Sequence, residues 1–425
     1  MSDAALISSC ARSSLWSRWA RRQLMRRFAD WSHGRLEIKG CVGEYSWQGD
    51  RSTELSAVVR IHSPRFLFRL AGGSVALAES YLQGEWSCDN LTQLFRLVVR
   101  NGGGQRRFDR GWSHVTRGLL RLWHLAHDNS LWGSKRNIAA HYDLGNDFFA
   151  LMLDETWSYS CGIFPHAGAT LEEASQEKMR RIAACLALSP GVDVLEIGTG
   201  WGGLALHLAE QHGCRVTTTT ISRQQIARAA QRFRASPAAD RLHLLDKDYR
   251  ELTGTYDRLV SVEMIEAVGY KHLPTYFRRC SELLKPDGRC VLQAIIMNEQ
   301  HYEEYLRSVD FIQRYVFPGG CLPSLGTMLS CIRHETDLRL VHLQDYSEHY
   351  AETLRQWRQR FQQHEAEVRR LGYDDRFIRL WNYYLSYCEA GFMERCTGVV
   401  QVVLDKPLCR LPSPVACDVA SLREP

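Results

Sequence analysis

From about residue 174 onward, short apolar runs alternate with longer stretches whose apolar positions recur at helical spacing. The runs cover Val192 to Ile197, Arg215 to Ile221, Leu242 to Leu245, Asp257 to Val262 and Arg289 to Met297, with a late one over Gly398 to Asp405. Strand and helix in regular alternation predict a mostly parallel, doubly wound sheet covered by helices. Lys285-Pro-Asp-Gly288 is a turn ahead of the fifth strand. Tyr302 to Cys331 reads as a mostly helical insertion, and helices are predicted over Ala351 to Leu371 and Asp375 to Ala390. Earlier in the chain the pattern differs. Leu36 to Leu70 alternates in short runs punctuated by Gly and Asp, which suggests strands or hairpins, and Val75 to Val99 is helical. Asn101-Gly-Gly-Gly-Gln-Arg-Arg107 reads as a linker and Trp112 to Asp128 as a basic helix. The expected division is therefore a smaller α+β accessory domain over 1–130 and a larger domain over 131–425.

Near the start, Trp16, Ala20, Leu24, Phe28 and Trp31 recur at helical spacing while Arg12, Arg18, Arg21, Arg22, Arg26 and Arg27 occupy much of the rest. A helix of this kind can lie in a bilayer interface, its aromatic stripe inserted and its arginines on anionic headgroups. It can equally dock its stripe on its own domain.

The segment Val192-Asp-Val-Leu-Glu-Ile-Gly-Thr-Gly-Trp-Gly-Gly203 carries the most chemistry. A buried strand runs into a turn where Gly198, Gly200 and Gly202 let the backbone bend sharply and approach a ligand that a Cβ would block. A dinucleotide site expects an acid about 20 residues on, at the end of the second strand; Arg215-Val-Thr-Thr-Thr-Thr-Ile221 carries none. The turn also lacks the Gly-Lys-Ser/Thr ending of a triphosphate loop. What remains is S-adenosylmethionine, a nucleoside without phosphate, with Asp248 after the third strand as the acid for the adenine amine.

With 425 residues, 45% of them hydrophobic, the chain can bury one large core or two smaller ones. A net charge of +5 is too mild to indicate nucleic acid, but it suits an anionic surface. No apolar run approaches the roughly 18 residues of a membrane span. The 14 cysteines form no Cys-x-x-Cys pair, so no metal site is expected and a reduced cytosol fits, although the Arg-rich start also resembles an organellar transit peptide.

Several motifs together resemble the cyclopropane-fatty-acyl-phospholipid synthase family, which includes the mycolic acid cyclopropane synthases. They are His141-Tyr-Asp-Leu-Gly-Asn-Asp-Phe-Phe149, Tyr159-Ser-Cys161, Leu195 to Gly203, Asp248-Tyr-Arg250, Phe317-Pro-Gly-Gly-Cys-Leu-Pro323 and His349-Tyr-Ala-Glu-Thr-Leu354. Glu79-Ser-Tyr-Leu-Gln-Gly-Glu-Trp86 is similar to the accessory domain of the bacterial phospholipid enzymes. The resemblance implies a class I methyltransferase fold, Rossmann-like, with a mostly parallel seven-stranded sheet and a helical insertion over the active site. It implies transfer of a one-carbon unit from S-adenosylmethionine to the cis double bond of an acyl chain in a membrane phospholipid, and a cytoplasmic protein peripheral to the inner face of the membrane. Whether the chain forms a homodimer is left open.

Carried over by position, Tyr159, Ser160, Gly198, Gly200, Gly202, Thr220, Gln225 and Asp248 line the cofactor site. Cys161, Glu266, Ile295 and Tyr350 match positions that hold a bicarbonate base, Ile295 through its backbone. Glu263 competes with Glu266 for that role, and the spacing to Val268-Gly269 favours Glu266. Taken alone, Cys161 reads as a buried thiol and Tyr350 as a core tyrosine. Where the family commonly has histidines, this chain has Ala267 and Gln293. Gln293 still donates through its amide but cannot become charged, which weakens the case for bicarbonate and for ring closure. A methyl-branched or methylene product, a small-molecule N-methyltransferase and a catalytically silent lipid-binding protein are the rival readings.

Overall fold

The computed structural model describes residues 31–50, 54–102 and 144–414, together with Arg22 and Gly133. The basic stripe up to Phe28, the helix read over Trp112 to Asp128 and the boundary near residue 130 lie outside the described residues. The chain forms two compact units. One takes in the described residues of Met1–Trp123 with Ser308–Phe311 and Glu365–Glu394; the other takes in those of His124–Arg307, Ile312–His364 and Arg395–Pro425.

In the first unit, strands β1 (Arg35–Gly40), β2 (Tyr45–Gln48), β3 (Ser56–Ile61) and β4 (Trp86–Cys88) form a sheet in the order β2-β1-β3-β4. β1 and β3 run parallel, in a register that pairs Leu36 with Ala57 and Ile38 with Val59. These alternate residues are buried while their neighbours are partly or fully exposed, the pattern of a sheet with one covered face. The helix expected over Val75 to Val99 is two helices, Gly73–Leu82 and Leu91–Gly102, separated by β4. Gly84, at φ +73°, ends the first, and the Trp86 indole N–H donates to Ser80 Oγ at 2.8 Å. Asn101 belongs to the last helical turn, not to a linker. Its side chain accepts from the backbone N–H of Ser32 and of His33 at 2.7 and 2.8 Å and returns a bond to the His33 carbonyl at 2.8 Å.

Helix Asp375–Met393 also belongs to this unit, a placement that the two-segment division of the sequence does not anticipate. Its physical basis is a seam with helix Leu91–Gly102. Thr92 donates to Glu389 at 3.1 Å, Arg96 and Arg100 both pair with Glu394 at 2.7 Å, and Phe95 packs edge-on to Tyr383. The helix expected over Ala351 to Leu371 breaks at His364 into Ser347–Gln363 and Glu365–Arg370, and the two pieces belong to different units.

The second unit is built on seven strands: β5 (Asp193–Ile197), β6 (Arg215–Thr219), β7 (Leu242–Leu245), β8 (Tyr256–Val262), β9 (Leu284–Met297), β10 (Arg339–Asp345) and β11 (Thr397–Asp405). Their order is β10-β11-β9-β8-β5-β6-β7, with β11 antiparallel to both neighbours and the other pairs parallel. This is the sheet that the sequence leads one to expect. The Lys285–Gly288 turn lies inside β9, where the register against β8 jumps between Tyr256 and Arg258. Successive residues of β5 face opposite cores: Leu195 and Ile197 meet Tyr276, Phe277 and Met328, whereas Val194 meets Ile182, Leu208 and Phe233. Strand order reverses around β5, which has β6 on one side and β8 on the other, so the crevice at the carboxyl ends of these strands is the natural ligand site.

Candidate functional site

The turn after β5 is held by its neighbours. Gly198 and Thr199 both donate backbone N–H groups to the Thr219 carbonyl at 3.0 Å, and Gly202 caps helix Gly203–His212. Gly198, Gly200 and Gly202 have φ of +104°, +53° and +85°, yet they are needed for different reasons. A Cβ on Gly202 would lie 2.5 Å from Phe233, and one on Gly198 would lie 3.2 Å from Met264. One on Gly200 would meet nothing within 4 Å. Gly202 is thus a packing glycine, and Gly200 is the position whose missing side chain leaves a cradle open. Trp201, fully buried, anchors the loop by donating its indole N–H to Asn146 at 2.7 Å, while its carbonyl accepts from Arg232 at 2.7 Å.

Around this cradle stand most of the residues expected to hold S-adenosylmethionine. Thr220 donates to Gln225 at 2.7 Å, and both side chains are buried. The Tyr159 ring lies 5.2 Å from that of Phe149 and 5.0 Å from that of Trp357. Ser160 accepts from the buried Lys178 at 2.8 Å. Asp248 is buried and bound on both oxygens by Arg250, at 2.7 and 2.8 Å, so any adenine amine would have to share a carboxylate already paired. Glu196, at the end of β5, accepts from Thr218 at 2.5 Å, and burial pushes its pKa up to about 8. The open cradle at Gly200, with buried polar groups at the ends of β5 and β6, fits an adenosyl group without phosphates.

A second cluster sits at the ends of β8 and β9. Glu263, immediately after β8, has φ +49°, a left-handed conformation that side chains seldom adopt. Its Oε1 accepts from the Cys161 backbone N–H at 2.9 Å and from Gln293 Nε2 at 2.8 Å; its Oε2 accepts from the Tyr350 hydroxyl at 2.5 Å. Glu266 accepts from the Ile295 backbone N–H at 2.5 Å on Oε1, and its buried Oε2 has no hydrogen-bond partner. The Glu266 carbonyl accepts from Cys321, which ties the Phe317-Pro-Gly-Gly segment to the cluster. Burial raises the pKa of both acids, that of Glu266 to about 8 with a further push from the charge on Glu263. The charge of Lys178 opposes the rise at Glu263, but burial outweighs it. Burial also lifts the Cys161 thiol well above its ordinary range, so it stays protonated.

The structure therefore brings Cys161, Gln293 and Tyr350 together on Glu263, the acid that the sequence reading ranks second, and pairs Ile295 with Glu266. The donors that resemblance gives to bicarbonate are bonded to a side chain, and this donor set does not fit a bound bicarbonate. Sequence reasoning also missed Lys178. Its signal is legible, because Lys178 shares the helical spacing of Ala174 and Ile182 and so lies in the buried stripe of helix Leu171–Leu186. Among the described residues, no group of three or more His, Cys, Asp or Glu could hold a metal ion.

Comparison with known proteins agrees with this geometry. The family model for mycolic acid cyclopropane synthetase matches residues 130–402. Over 356 residues the chain is 39% identical to the tuberculostearic acid methyltransferase UfaA1 of Mycobacterium tuberculosis, covering 81% of this chain and 82% of that one. Over 352 residues it is 35% identical to the cyclopropane-fatty-acyl-phospholipid synthase of Escherichia coli, covering 82% of this chain and 88% of the relative. The solved cyclopropane synthase MmaA2 of Mycobacterium tuberculosis superposes with a TM-score of 0.60 at 29% identity, covering 64% of this chain and 98% of that one. The mycolic acid cyclopropane synthase CmaA1, solved with SAH and CTAB, gives the same TM-score at 28% identity and the same coverage. The motifs, the seven-stranded sheet and these matches coincide: the chain belongs to the mycolic acid cyclopropane synthetase family and is an S-adenosylmethionine-dependent methyltransferase.

Proposed function

We propose that this methyltransferase adds a one-carbon unit to the cis double bond of an unsaturated acyl chain in a membrane phospholipid, forming a cyclopropane. The observation that best supports this reading is the buried carboxylate cluster of Glu263 and Glu266 at the strand ends, beside a thiol that burial keeps protonated. S-adenosylmethionine supplies an electrophilic methyl group. An alkene is a weak nucleophile, so the protein contributes alignment and exclusion of water rather than an activated side chain. Methyl transfer leaves a cationic carbon, and a neutral product requires loss of a proton. A carboxylate in a low-dielectric pocket stabilises that cation and can accept the proton. A neutral Cys161 does not trap it.

A methyl-branched or methylene product is the second reading, favoured by Ala267, by Gln293 and by the similarity to a protein named as a tuberculostearic acid methyltransferase. The two differ in which hydrogen leaves: one from the added methyl closes a ring, one from an adjacent carbon gives an olefin. In either reading the protein works from the cytoplasm at the inner face of the membrane, recruited by its first domain. Among the described residues no helix is long and apolar enough to cross a bilayer.

The test is transfer of labelled methyl from S-adenosylmethionine to vesicles of unsaturated phospholipid, with the acyl products separated by gas chromatography against ring, branched and methylene standards. Methylation of soluble amines with none of vesicles would overturn the reading.

A further inference from the structure

We propose that the Glu263 carboxylate is itself the proton acceptor of the reaction, built into the place where the family resemblance puts a bound bicarbonate. The inference rests on the reading of an alkene methylated through a cationic carbon.

Three segments distant in sequence each contribute one donor to this side chain: the Cys161 backbone N–H after Tyr159-Ser160, the Gln293 amide in β9, and the Tyr350 hydroxyl in helix Ser347–Gln363. Cys161 and Tyr350 are residues that resemblance assigns to bicarbonate, and Gln293 stands where the family commonly has a histidine. A carboxylate and a bicarbonate present the same planar, anionic pair of acceptor oxygens, so donors placed for one suit the other. Here the anion is covalently attached. The backbone is arranged for this purpose too, since φ of +49° at Glu263 is a conformation suited to glycine, and the fold keeps a glutamate there. The Glu263 N–H is fixed by the Gln293 carbonyl at 2.8 Å, so one residue of β9 holds both the main chain and the side chain of the base.

The step balances without another reactant. The bond from sulfur to methyl breaks as the alkene pair forms the new carbon–carbon bond, leaving the neighbouring carbon cationic. A C–H bond of the added methyl then breaks. Its proton goes to a Glu263 oxygen and its electron pair closes the ring, or forms a double bond where the hydrogen comes from an adjacent carbon. Glu263 ends as the neutral acid. Burial favours that form, and the unpartnered Oε2 of Glu266 is a nearby acceptor for relaying the proton onward.

The experiment compares methyl transfer to unsaturated phosphatidylglycerol vesicles in buffer stripped of carbon dioxide and in the same buffer with added bicarbonate. The wild-type rate is expected to be equal in the two. Glu263→Gln is expected to lose about a hundredfold or more in kcat with its calorimetric affinity for S-adenosylmethionine retained. Glu263→Gly, which suits the local backbone and vacates the anion position, is expected to recover part of the rate on addition of bicarbonate or formate. A wild-type rate that collapses without bicarbonate, or full turnover by Glu263→Gln, would overturn the proposal while leaving phospholipid methylation standing. A wild-type protein that binds S-adenosylmethionine but methylates no vesicle in either buffer would instead sink the reading beneath it.

Discussion

Gln401 and Gln293 face each other across β11 and β9 as register partners, and Gln401 Nε2 donates to Gln293 Oε1 at 2.9 Å. Because that oxygen is occupied, the Gln293 amide can present only its NH2 group to Glu263. One strand thus fixes the orientation of a donor on the next, with every atom buried. Gln401→Val keeps the strand shape and removes the constraint. It should lower kcat about tenfold, by analogy with losses on removing groups that orient catalytic or ligand-binding partners, with S-adenosylmethionine affinity unchanged by calorimetry. An unchanged kcat would show that Gln293 needs no orienting partner.

Gly200 combines φ of +53° with open space on the side where a Cβ would project. Gly200→Val puts a β-branched side chain into a conformation it resists and into the cradle itself. Affinity for S-adenosylmethionine should fall by about a hundredfold or more, while the melting temperature changes by a few degrees at most. Retained affinity would remove the glycine turn from the cofactor site.

Glu266 has one oxygen on Ile295 and one with no partner, and its pKa is pushed up to about 8. As a proton relay it must be ionised, so turnover should rise with pH through about 8. Glu266→Gln should cut kcat about tenfold or more, abolish that inflection and leave cofactor binding intact. Full product formation from unsaturated liposomes by the variant would rule out a role in turnover.

Glu196 gives a stability prediction whose sign follows from linkage. Its folded pKa of about 8 lies above the ordinary 4.5, so between those values the folded state binds more protons than the unfolded state. The contribution of this group to stability is therefore present below about pH 4.5 and is lost as pH rises toward and through about 8. Glu196→Gln should melt higher than wild type at pH 8, on the order of 2–4 °C per kcal/mol gained, with a smaller gap at pH 5. A variant that melts lower at both values would mean that Thr218 needs an anionic partner.

The sequence by itself determined the local elements of the second unit. Strands β5 to β9 are short apolar runs, each ending where a helical pattern or a turn begins, and the three glycines after Glu196 mark the bend without reference to anything distant. Periodicity and turn chemistry are properties of neighbours in the chain, so they survive in the letters. β10 does not: its residues Arg339–Asp345 are mostly exposed, show no clean alternation, and become a strand by pairing with β11. The same holds for helix Asp375–Met393, whose pattern shows that it is a helix but not that Thr92, Arg96 and Arg100 hold it in the first unit.

The choice between Glu263 and Glu266 is the sharpest case. Both are glutamates just after a buried strand, and motif spacing favours the second. Only the tertiary structure decided that donors from residues 161, 293 and 350 meet on the first, because their convergence is set by strand order and helix placement. A carboxylate's basicity in turn depends on the burial and charges that such convergence creates.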